Sequence, residues 1–248
     1  MRKPQHWWLV ALVAMSLCLA CGNYRSVNVA IVPDRSRSAE KVRESIMGVA
    51  EESLTLPGIK KGSRLAIIAT GNVETAMEPI SIASIGFPCI RKVMEGRSRT
   101  AKNEEFLKDV EASLEKMTTP ASRTPLYIAV RRATETLRGL GCKTDLRKGQ
   151  PPCYLFVISD GEENVEKLIM RAIRGSSETK FPEEMLIDNS NIEVHFCGLS
   201  DTNGDSPVRN SREITRMENT WKGLFRHPEA VTFQPFCPKK EVSKNDYH

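Results

Sequence analysis

The sequence predicts an α/β protein: a doubly wound, mostly parallel open sheet with helices on both faces. Three observations carry this expectation. Short apolar runs alternate with longer segments of helical periodicity over about 210 residues, from 27 to 236. The most apolar run, "CYLFVISDG" (153–161), reads as a central strand. The composition, 40% hydrophobic and 27% charged in 248 residues, suits one well-cored domain rather than disorder.

Each element has its own justification. "VNVAIV" (27–32) fits a short buried strand. "AEKVRESIMGVAEESLTL" (39–56) spaces Val42, Ile46, Val49 and Leu54 near helical period, and Pro57-Gly58 ends it. "SRLAIIAT" (63–70) is a second strand. "EPISIASIGF" (78–87) alternates Ile80, Ile82 and Ile85 imperfectly, as an edge strand does. "KNEEFLKDVEASLEKM" (102–117) carries Phe106, Val110, Leu114 and Met117 on one stripe. "TPLYIAVRRATETLRGLG" (124–141) is a helix with Pro125 in its first turn and Gly139 and Gly141 at its end. After the central strand come a helix at 163–175, a strand at 191–200, a helix at 212–227 and a last strand at 230–236. In the helix at 212–227, Met217, Trp221 and Phe225 share a side and read as core.

The first 20 residues stand outside this pattern. Arg2 and Lys3 precede an apolar stretch of 14 residues, Trp7 to Ala20, which is short of the roughly 20 a spanning helix needs. This is the layout of a secretory signal. The expected division is a signal peptide at 1–20, a tether at 21–26, the domain at 27–236 and a polar tail at 237–248. The formal net charge is +5, and Arg2 and Lys3 carry two of those charges, so the remainder carries +3. That excess is too small to argue for nucleic acid.

Of seven cysteines, Cys18 lies in the leader. Cys142 and Cys153 bracket a polar loop and are the most local candidate disulfide of an exported chain. Cys197 lies in an apolar strand and reads as a buried free thiol. No Cys/His spacing suggests zinc. His227 is expected at a helix end.

The chemistry collects in oxygen-bearing side chains. Asp34, Ser36 and Ser38 alternate just after the first strand, in "VPDRSRS". Asp160 ends the central strand, and Thr124 opens a helix. In open α/β sheets, ligands gather at the carboxyl ends of strands, where strand order reverses. Two carboxylates and three hydroxyls, with no nitrogen or sulfur, suit a hard divalent cation, Mg²⁺ above all. Three other signals are weaker. "DTNGDS" (201–206) places Asp201, Asn203 and Asp205 as in a calcium loop, but Arg212 occupies the position of the required Glu. "GLSDT" (198–202) lacks the second Gly of a nucleophile elbow. Asp34 as a phosphotransfer nucleophile lacks a carboxylate two residues on, where Ser36 stands.

With these residues in view, the chain resembles the von Willebrand factor type A (VWA) domain. The likeness lies in "DRSRS" (34–38), in Thr124 of "RTPL" and in Asp160 of "ISDG", in that order within the strand–helix alternation. Arg37 departs from the Gly that often separates the two serines. The resemblance implies a metal-ion-dependent adhesion site holding Mg²⁺ (or Mn²⁺ or Ca²⁺). Ser36, Ser38 and Thr124 would approach the metal directly or through water. Asp34 and Asp160 would act mainly through water, and one position would stay open for an Asp or Glu of a protein partner. Ala20-Cys21 likewise resembles a bacterial lipoprotein signal, with Cys21 lipidated, palmitate included, as the mature N-terminus. Gly22 carries no inner-membrane retention signal, so the expected address is the cell envelope, at the outer membrane where one exists.

The function expected is a lipid-anchored envelope module that binds a protein partner through a divalent cation, not an enzyme. No small-molecule substrate is evident. The rival readings are a metal-dependent hydrolase, which lacks a visible general base or nucleophile beside the cluster, and a structural subunit of an envelope or secretion complex with a vestigial metal site.

Overall fold

The computed structural model describes residues 27–34, 39–57, 63–68, 81–84, 99–114, 125–142, 153–163, 165–175, 179–199 and 210–238. Its strands are β1 (Asn28–Pro33), β2 (Arg64–Ile67), β3 (Ser81–Ser84), β4 (Cys153–Ile158), β5 (Ile192–Cys197) and β6 (Val231–Gln234). Its helices are α1 (Ala39–Ser53), α2 (Arg99–Leu114), α3 (Leu126–Gly139), α4 (Lys167–Arg174) and α5 (Ser211–Lys222).

The sheet order is β3-β2-β1-β4-β5-β6. The pairs β1/β2, β1/β4, β4/β5 and β5/β6 are parallel, and the edge pair β2/β3 is antiparallel. The chain therefore builds outward from β1 to one edge, returns, and builds from β4 to the other. The expected doubly wound, mostly parallel sheet is what forms, and its switch point lies between β1 and β4.

Side chains of successive strand residues alternate between two cores, as strand geometry requires. Ala30, Val32, Leu155, Val157, Val194 and Phe196 pack against α3, α4 and α5. Val29, Ile31, Tyr154, Phe156 and Ile158 pack against α1 and α2. Both faces of the central strands are dry, which is why β1 and β4 read as unbroken apolar runs. Met217, Trp221 and Phe225 are buried in the first core, as their spacing predicts.

Two disulfides are present among the described residues. Cys142–Cys153 ties the end of α3 to the start of β4. Cys197–Cys237 ties the end of β5 to the segment after β6. The second corrects two expectations. Cys197 is buried but not a free thiol, and Cys237, expected to open a polar tail, is itself buried in the α1/α2 core. The parallel β5/β6 register, Cys197 opposite Gln234, brings the chain back beside Cys197 within three residues, a closeness invisible in a 40-residue separation.

His227 is also placed differently. The helix stops at Lys222, because Phe225 bridges to Ile187 and draws the chain away. His227 then contacts Ser190 Oγ through Nε2 at 3.0 Å and Glu229 through Nδ1 at 3.2 Å.

Candidate functional site

The parallel register sets the site. Pro33 pairs with Ile158, so Asp34 and Ser159 leave β1 and β4 side by side. The Asp34 N–H donates to the Ile158 carbonyl at 2.8 Å, which carries the ladder one residue past the strand. Ser159 N–H donates to the Cys197 carbonyl at 3.0 Å, fixing the next pair of strand ends. Asp34 and Asp160 thus stand on one rim, at the switch point, where the sequence places them.

Asp34 is 1% exposed. Ser159 Oγ donates to its Oδ2 at 3.0 Å, and the same hydroxyl accepts from Gly161 N–H at 3.0 Å. Ser159 therefore links the two strand ends by side chain as well as by backbone. Asp160 is partly exposed, and its Oδ1 accepts the Glu162 N–H at 3.0 Å, an Asx turn that folds the loop over. Gly161 has φ +82°, in the left-handed region, and its carbonyl accepts the indole N–H of Trp221 at 2.9 Å.

Glu163 follows, and sequence reasoning missed it. It is 2% exposed. Its Oε2 accepts the Tyr127 N–H at 2.6 Å, and its Oε1 accepts those of Val165 at 2.7 Å and Glu166 at 3.1 Å. Burial pushes its carboxyl above the usual glutamate range, while the three N–H donors pull it back. Nothing local flags Glu163, because Tyr127 lies 36 residues away. Ser159 was legible only as the context of Asp160.

Ser36, Ser38, Thr124 and Cys21 lie outside the described residues, as do residues 201–206 of the calcium-like loop. Among the described residues, no group of three or more His, Cys, Asp and Glu side chains gathers in a way that would hold a metal. Of the five oxygen-bearing residues singled out in the sequence, the described residues include Asp34 and Asp160. The donor chemistry on this rim, carboxylate and hydroxyl oxygen, fits a hard cation and not zinc. No helix among the described residues is long and apolar enough to cross a membrane.

The sequence matches no protein-family model and no curated protein. Among solved structures it is similar to an aerotolerance-related membrane protein from Bacteroides fragilis with multiple mutations to serines, at 16% identity and TM-score 0.35, covering 84% of this chain and 91% of that one. It is also similar to the conserved hypothetical protein BatB from Bacteroides thetaiotaomicron, at 13% identity and TM-score 0.37, covering 85% and 90%. Overlap this loose bears on neither fold nor function.

Proposed function

We propose that this chain is a cell-envelope binding module of VWA type. A divalent cation, Mg²⁺ first, is held by Asp34, Ser36, Ser38, Thr124 and Asp160, and through it an Asp or Glu of a protein partner is bound. The observation that carries the reading is the Asp34–Ser159 contact at the switch point. It joins the strand end bearing "DRSRS" to the one bearing "SDG", which are 125 residues apart in the chain.

Bound there, the cation supplies an electrophilic position for an incoming carboxylate. The protein's own part is to hold two carboxylates and the hydroxyls on one rim. A buried Asp34, accepting from a fixed hydroxyl, is suited to orienting water and neighbouring side chains rather than to leaving its place. The module turns nothing over. Lipidation of Cys21 would keep it at the membrane surface.

Calorimetric titration with Mg²⁺ and Mn²⁺ is expected to show one site in the wild type and none in Asp34→Ala. Equal binding by both proteins would remove the cation from this proposal. Capture of partners from an envelope extract should fail when a chelator is added. Capture unaffected by chelation would favour the structural-subunit reading.

A further inference from the structure

Helix α3 begins with an uncapped first turn. Pro125 precedes it and contributes no side-chain cap, so the first N–H groups need acceptors from elsewhere. One is supplied by Glu163, whose Oε2 takes the Tyr127 N–H at 2.6 Å. Its other oxygen holds the turn leading into α4, through Val165 and Glu166. One buried carboxylate thus fastens the start of α3 to the loop that begins with Asp160.

That loop is itself fixed. Ser159 holds it to Asp34 and Trp221 holds the Gly161 carbonyl. Tyr127 is fixed at its far end too, where its hydroxyl donates to the Met185 carbonyl at 2.9 Å. In sequence, Thr124 stands two positions before α3, and Asp160 three positions before Glu163.

We propose that Glu163 is a positioning residue: it sets the start of α3 at a fixed distance from the Asp160 loop, and thereby sets Thr124 relative to Asp160 in the cation site. The assignment rests on the cation reading above. Glu163 touches neither metal nor partner. It acts through the helix end.

Two variants test this, each titrated with Mn²⁺ alone and each compared with wild type by thermal melting. Glu163→Gln keeps length but has one acceptor oxygen. That oxygen satisfies two N–H groups if it faces Val165 and Glu166 and one if it faces Tyr127, so the amide NH₂ turns to Tyr127 and the link to α3 breaks. Glu163→Asp keeps the charge but is one methylene shorter and cannot span both partners. Both are expected to fold and to lose about tenfold or more in Mn²⁺ affinity, the scale of losing an orienting partner.

The decisive comparison adds Thr124→Ala. In that background, Glu163→Gln should cost no further Mn²⁺ affinity, since the residue it positions is gone. Wild-type affinity in folded Glu163→Gln, or the same fold-loss with and without Thr124, would overturn the assignment. Wild-type affinity in Glu163→Asp would do so too, because charge rather than reach would then be what counts. Failure of both variants to fold would equally count against it, since a link seating one helix end leaves both cores intact. Failure of the cation reading looks different: wild type and Asp34→Ala would then titrate alike.

Discussion

At Gly161 a side chain has nowhere to go. Its φ of +82° is one that L-residues rarely adopt, and an added Cβ would meet Met217 Sδ and, at 2.7 Å, Leu199 Cδ2. Gly161→Ala is expected to destabilise the fold by roughly 2–4 kcal/mol, read by denaturant titration. His195 is the other residue with a sharp consequence. Its ring stacks on Phe156 at 5.0 Å between centroids, Nδ1 lies 2.8 Å from Thr232 Oγ1, and Nε2 is buried with no hydrogen-bond partner among the described residues. Burial lowers its pKa below the ordinary 6.5, against the opposing pull of Glu193 and Glu52. The folded state therefore resists the proton that the unfolded state accepts, and stability falls as pH drops below about 6.5. The thermal midpoint should fall between pH 7 and pH 5, and fall less in His195→Phe, which keeps the stack and cannot titrate. An equal fall in both proteins would remove His195 as a cause.

Elements were easier to read than their ends. Every strand and helix expected from periodicity exists, but most are shorter than drawn. The helix expected from residue 163 starts at Lys167, because the Glu163 side chain takes the Val165 and Glu166 N–H groups in a turn ahead of it, and Glu166 then caps the helix by accepting the Leu168 N–H. The strand drawn to Gly161 ends at Ile158: Ser159 gives its N–H to the Cys197 carbonyl as a last ladder bond, and beyond it the Asp160 side chain takes the Glu162 N–H and turns the chain away. Apolar spacing registers which residues are covered, and it is blind to capping and to where a ladder stops. The same blindness hid Glu163. Asp34 and Asp160 were visible because each interrupts an apolar run, whereas Glu163 sits among other acids with its partner on a distant helix. At this scale α5 offers a test. Asn210 accepts the Glu213 N–H and Glu213 accepts the Asn210 N–H, both at 3.0 Å, a reciprocal cap. Asn210→Ala should cost about 1 kcal/mol, seen as a lower midpoint in urea.

For the whole molecule, the two disulfides close loops of different length, 11 residues for Cys142–Cys153 and 40 for Cys197–Cys237. In the chain-entropy account their removal costs about 3 and about 4 kcal/mol respectively. Cys197→Ala with Cys237→Ala should therefore lower the thermal midpoint more than Cys142→Ala with Cys153→Ala. The reverse order would place the stabilisation in native packing instead. The strand direction has a consequence of its own. Strands β1, β2, β4, β5 and β6 all point one way, so Asn28 marks the floor of the domain and Asp34 its roof, about 20 Å apart at strand rise. Were the chain tethered through Cys21, as proposed, the pull would fall on the Asn28 end of the sheet, and the rim carrying Asp34 and Asp160 would face away from the bilayer.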